Sequence, residues 1–150
     1  MAQKIKLSTI AETLGVSTAT VSLALRDSPL VATVTRDKIK EQARALGYIY
    51  NRRAASLRTS RSGIIGVVVQ DMMNPCYGEI LKAIEAELDR DRQTFILSNH
   101  YDSVEKQRAF IETLLQLGAD GVIMSPAIGT PPEDIQLAED NGMPAILIAR

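Results

Sequence analysis

Apolar residues recur at helical spacing through roughly the first third of the chain, and the rhythm then changes. Ile10, Ala11 and Leu14 stand at i, i+1 and i+4, the apolar stripe of a short helix. Gly15 follows and suits a left-handed helix end. Ser17 is placed to cap the next helix, its hydroxyl oxygen accepting an orphan backbone N–H. Val21, Ala24 and Leu25 continue that helix's apolar face, and Asp27, Ser28 and Pro29 predict a loop. A third helix is predicted over Thr33–Ala45, with Val34, Ile39, Ala43 and Leu46 facing inward and Gly47 ending it. Residues 51–60, NRRAASLRTS, are basic and carry few large apolar side chains. Asn51 is a candidate cap for a short helix through Leu57. A helix of that length is marginal alone in water, so the segment reads as a linker, disordered or helical according to context.

From Gly63 the pattern is a β-branched run, Ile64, Ile65, Val67, Val68 and Val69, as in a strand buried on both faces. Predicted next are a helix over 76–90, a strand over 94–98, a helix over 104–117, a strand over 121–125, a helix over 132–141 and a strand over 145–149. This alternation argues for a parallel α/β sheet with right-handed crossovers. The expected organisation is a small all-α domain over 1–50, a hinge over 51–62, and the first part of an α/β core over 63–150.

Charge sharpens the division. Residues 1–62 hold 11 Lys or Arg against 4 Asp or Glu, and residues 63–150 hold 6 against 14. A basic head on an acidic body suggests that the head alone meets a polyanion, although a merely solvated basic surface gives the same count. The apolar run at 64–69 is far too short to span a bilayer. The first six residues lack the apolar stretch of a secretory signal. Cys76 alone makes neither an internal disulfide nor a zinc site. These features favour the cytoplasm, with no membrane partner.

Two short helices joined through Gly15, Val16 and Ser17 have helix-turn-helix spacing. The second helix would enter the major groove, where base edges carry a distinct donor and acceptor code. Ser17, Thr18, Ala19, Thr20 and Ser22 are expected to be its exposed early residues. A plain helical hairpin, with small residues that only allow tight packing, is the alternative.

The stretch Ile10-Ala11-Glu12-Thr13-Leu14-Gly15-Val16-Ser17-Thr18-Ala19-Thr20-Val21-Ser22 resembles the head of the lactose-repressor (LacI) family. So do Thr35-Arg36, Ala45-Leu46-Gly47-Tyr48, Asn51, and the hinge positions Ala54, Ser56 and Leu57. Ile65-Gly66-Val67, Asp71, Asn74-Pro75, Asn99, Asp102 and Asp120-Gly121 are similar to the first half of the family's core. The resemblance covers almost the whole chain. It implies a transcriptional repressor, homodimeric in a longer protein, that binds near-palindromic double-stranded operator DNA and is controlled by a sugar or nucleoside-type effector. The DNA contacts it implies are Leu7, Ser17, Thr18, Ala19, Thr20, Ser22, Leu23 and Arg26 in the head, with Asn51, Arg52, Ala54, Leu57 and Arg58 in the hinge. Leu57 matches the family's minor-groove wedge, with packing against the core as its alternative; Arg52, Arg53 and Arg58 would lie near phosphates.

Some positions depart from the pattern. Leu23 stands where many members carry arginine, and leucine cannot read guanine with two hydrogen bonds. Tyr50 replaces a frequent proline. Lys6 and Ala32 replace capping Thr or Ser, although Thr33 is placed to take over the second role.

In the α/β part the resemblance implies a periplasmic-binding-protein-like domain with its ligand cleft at the carboxyl ends of the strands. Asp71, Asn74, Tyr77, Ser125 and Pro126 are its implied effector contacts. The alternative makes Asn74-Pro75 a helix cap and Tyr77 core. The family's core has two subdomains, so this sequence is expected to be the amino-terminal portion of a longer repressor, with an incomplete pocket. Enzymatic readings find little support: G-x-G-x-x-G, a P-loop Gly-Lys-Ser/Thr and G-x-S-x-G are all absent. His100 is expected to be an exposed loop residue and Cys76 incidental; no cofactor or metal is implied. A ligand-binding α/β protein without a DNA role is the competing reading, and a flavodoxin-like enzyme a weaker third.

Overall fold

A computed structural model describes residues 5–50 and 61–148. The chain divides into two compact units, Met1–Arg52 and Arg53–Arg150.

Among the described residues, the first unit holds three helices, α1 (Leu7–Leu14), α2 (Thr18–Leu25) and α3 (Thr33–Ala45). Gly15 ends α1 in the left-handed conformation, φ 64°, and its N–H returns to the carbonyls of Ala11 and Glu12. That turn needs a residue without a side chain, because a Cβ at positive φ is strained. Ser17 then caps α2, its Oγ accepting from the N–H of Thr20 at 3.0 Å. Neither Lys6 nor Ala32 makes a side-chain cap. Thr33 does not take over the capping of α3; its Oγ1 instead accepts from Arg36 at 3.1 Å. Ile10, Ala11, Val21, Ala24, Val31, Ile39 and Ala43 form the buried core. Val34, expected to face inward, is 69% exposed. Five residues at about 100° each turn it some 140° away from Ile39, onto the opposite side of α3.

The second unit is a four-stranded parallel sheet with helices between its strands. The elements run β1 (Ile64–Val69), α4 (Pro75–Arg90), β2 (Thr94–Asn99), α5 (Val104–Leu117), β3 (Gly121–Met124), α6 (Pro132–Asp140) and β4 (Ala145–Leu147). The strand order is β2-β1-β3-β4, with every pair parallel. Alternate residues of β1 serve opposite faces, as the period of a strand requires. Val67 and Val69 join Tyr77 of α4, while Val68 joins Ile111 and Leu114 of α5, Val122 and Met124 of β3 and Ala138 of α6. Gly66 allows α5 to approach closely: a Cβ there would lie 2.0 Å from Cδ1 of Leu114. Asp120 fixes the entry to β1, its carboxylate accepting from the backbone N–H groups of Ser62 and Gly63, both at 2.8 Å. Among the described residues, no helix is long and apolar enough to cross a membrane.

Candidate nucleic-acid interface and ligand cleft

The first turn of α2 is largely open to solvent. Ser17, Thr18 and Ala19 are exposed and Thr20 is half-buried. The hydroxyls of Ser17 and Thr20 lie 2.9 Å apart, so the cap also orders the first polar side chains of the helix. Arg26 is exposed at the far end, with its Nε donating to the carbonyl of Ser22 at 3.2 Å. Leu7 and Leu23 are half-buried and pack against the head's core.

Ser22 corrects the expectation of an exposed residue, since only 8% of its surface is accessible. The reason is local. α2 packs against both α1 and α3, so its buried face is wide and takes in Val21, Ser22 and Ala24. Of the expected hinge contacts, Asn51, Arg52, Ala54, Leu57 and Arg58 lie outside the described residues, as does Arg53.

In the α/β unit, chemistry gathers where the strand order reverses. From β1 the chain crosses through α4 to β2 on one side, then through α5 to β3 on the other. The carboxyl ends of β1 and β3 therefore flank a topological switch point, the usual place for a ligand in an open α/β sheet. Tyr77 is 4% exposed, and its hydroxyl lies 2.7 Å from Oγ of the fully buried Ser125. The two expected effector residues thus meet each other. The tyrosine ring belongs to the core, and the burial and the mutual bond limit what either hydroxyl offers a ligand. Asn74 is exposed and caps α4, its Oδ1 accepting from Cys76 N–H at 3.1 Å. Asp71 accepts from Met73 N–H at 2.9 Å and holds the turn before that helix. Pro126 is half-buried directly after Ser125.

His100, expected to be exposed, is fully buried. Its Nδ1 accepts from the backbone N–H of Asp102 at 3.0 Å, so that nitrogen carries no proton. Nε2 then bears the hydrogen and donates to the carbonyl of Ser125 at 2.8 Å. The backbone N–H of His100 pairs with the carbonyl of Val69, which draws the residue back beside β1 and under the loops. Tyr101 and Asp102 follow in left-handed conformations, φ 49° and 62°. The carboxylate of Asp102 accepts from Gln70 Nε2 at 3.2 Å and from Ile128 N–H at 3.4 Å. Asn99 accepts from Met72 N–H at 3.2 Å and donates to the hydroxyl of Tyr101 at 2.9 Å.

Gln70, Asn99, His100 and Asp102 thus tie together the loops after β1, β2 and β3, and sequence reasoning placed none of them in the site. Their common signal was position, since each stands at or just beyond a strand's carboxyl end. Met72, Met73, Tyr101 and Ile128 are exposed on the same loops. The edge is a polar framework carrying apolar side chains, able to present both hydrogen bonds and a contact surface to a small molecule.

The family model described as "Bacterial regulatory proteins, lacI family" matches residues 6–51. "Periplasmic binding proteins and sugar binding domain of LacI family" matches residues 62–150. The chain is 33% identical over 150 residues to the maltose regulon regulatory protein MalI of Escherichia coli (strain K12), covering 99% of this chain and 44% of that protein. It is 32% identical over 119 residues to the MalI protein of Vibrio furnissii, covering 79% of this chain and 87% of that one. Against the lac repressor dimer bound to operator and the anti-inducer ONPF, the TM-score is 0.72 at 27% identity, over 97% of this chain and 44% of that one. A LacI-family regulator from Silicibacter pomeroyi shares the fold, with a TM-score of 0.77 at 24% identity, over 95% of this chain and 43% of that one. The chain spans less than half the length of several of these relatives. On these matches, the chain belongs to the lacI family of bacterial regulatory proteins.

Proposed function

We propose that this chain acts as a sequence-specific DNA-binding transcriptional repressor controlled by a small-molecule effector. The observation that carries the reading is the open first turn of α2: Ser17, Thr18 and Ala19 stand exposed at a capped helix start within the basic part of the chain. Small side chains there allow the helix backbone close to base edges, and the surrounding cations supply the phosphate attraction. Ser17, Thr18, Ala19 and Thr20 approach bases or phosphates, Arg26 and the hinge arginines Arg52 and Arg58 approach phosphates, and Leu7 and Leu23 make apolar contact at the rim. Two copies read the half-sites of a near-palindromic operator, with Asn51 and Ala54 shaping the hinge and Leu57 opening a minor-groove step.

The effector binds at the switch-point edge of the α/β unit. Asp71, Asn74 and Pro126 meet it directly, and the Tyr77–Ser125 pair forms the floor. A sugar-type ligand accords with the relatives named for the maltose regulon and with the family model for a sugar binding domain. The protein works in the cytoplasm and is not an enzyme.

Genomic footprinting of the tagged protein tests the reading. Protection of a few near-palindromic sites beside sugar-utilisation genes is the expected result. No protected site, with ligand binding retained, would leave a ligand-binding α/β protein without a DNA role.

A further inference from the structure

Asp27 lies just past the C-terminal end of α2, in the left-handed conformation at φ 59°. Its N–H donates to the carbonyl of Ala24 at 3.1 Å, continuing the helix end. A carboxylate at the negative end of a helix is electrostatically unfavourable unless cations meet it. Two do, both from α3. Lys40 Nζ is hydrogen-bonded to Asp27 Oδ1, and Arg36 Nε lies 3.9 Å from the same oxygen. Arg36 also directs Nη1 at the carbonyl oxygen of Asp27, at 3.5 Å, and Nη2 at Thr33 Oγ1, at 3.1 Å. The guanidinium is thus engaged by three oxygens of its own domain. The side chains of Arg36 and Lys40 are only 21% and 29% exposed, whereas Lys38 and Arg44 of the same helix are open to solvent.

We propose that Asp27 is a positioning residue for DNA recognition, which locks the end of α2 to α3 and withholds Arg36 and Lys40 from the phosphate-contacting set. The proposal rests on the DNA-binding reading above. Sequence-independent affinity for a duplex grows with each cation that displaces a counterion from the phosphates. Holding two cations against Asp27 lowers that background without touching the exposed turn at Ser17–Ala19. A larger share of the remaining affinity then comes from contacts that read base edges.

The test is the salt dependence of binding to a mixed-sequence DNA duplex, followed by fluorescence anisotropy with the full chain. Arg36→Gln and Lys40→Gln should each leave the slope of log K against log salt unchanged. Asp27→Asn should steepen it by about 0.9 for each cation released, up to roughly 1.8. A role in folding alone would not move this slope. A loss of about 0.9 on replacing Arg36 or Lys40 would place that cation on the phosphates and overturn the proposal. An unchanged slope in a folded Asp27→Asn chain would overturn it too. If circular dichroism shows that Asp27→Asn is unfolded, the two glutamine variants decide alone. Failure of the unaltered chain to bind any duplex would overturn the DNA reading itself, and this proposal with it.

Discussion

The Nε2–H of His100 donates to the carbonyl of Ser125 across 2.8 Å, joining the loop after β2 to the loop after β3 past the end of the intervening β1. With Nδ1 accepting from Asp102, both ring nitrogens are satisfied in one neutral tautomer. Replacing His100 with Phe keeps the bulk and strands the buried Ser125 carbonyl and the part-buried Asp102 N–H. The loss should be about 1–3 kcal/mol of the α/β unit's stability, read by urea unfolding. A change below about 0.5 kcal/mol, the range of an ordinary surface substitution, would show that the bridge does not hold these loops.

Leu114 of α5 packs over Gly66 of β1 with no room for a side chain between them. Gly66→Ala should cost about 1–3 kcal/mol by overpacking. Adding Leu114→Ala to that variant should cost less than the same change in the unaltered chain, because the new methyl occupies part of the vacated space. Strict additivity in the double-mutant cycle would contradict the contact.

Ser17→Ala removes the cap of α2 and should lower the head's stability by about 1 kcal/mol, measured by thermal unfolding of the helical signal. Thr18→Ala, one residue on and exposed, should leave stability within about 0.5 kcal/mol. Equal losses in the two variants would contradict the capping assignment.

Glu105, in the first turn of α5, has its carboxyl pKa held below the ordinary 4.5, chiefly by a backbone hydrogen bond and then by the hydroxyl of Ser103. A carboxylate with a lowered folded pKa stabilises above its unfolded value, and that contribution fades as pH falls through the lowered one. Glu105→Gln should therefore lower Tm slightly near neutrality, and the difference should shrink as the pH drops below 4.5. A difference that stays constant with acidification would rule out this linkage.

Much of this architecture was legible in the residues, for identifiable reasons. Ile10, Ala11 and Leu14, and then Val21, Ala24 and Leu25, stand at helical spacing, and Gly15 and Ser17 punctuate them with turn and cap chemistry. Ile64–Val69 is too short and too β-branched to read as a helix. Burial within the site was harder to see. His100 carries no periodic signal, and its burial depends on a carbonyl 25 residues away and on two left-handed residues that follow it. Ser22 reads as a polar surface residue until α1 and α3 both close on α2. The pairing of Tyr77 with Ser125 spans 48 residues and is set by sheet order, which local pattern does not specify.

The proposed function depends on the first turn of α2 reading base edges. The most direct measurement is a binding-site selection from a randomised duplex pool, comparing the unaltered chain with Thr18→Arg and Ala19→Gln variants. Each variant should shift base preference at one or two positions of the half-site and leave the rest of the motif as it was. Selected motifs identical across all three proteins, or no enrichment by the unaltered chain, would contradict the proposed function.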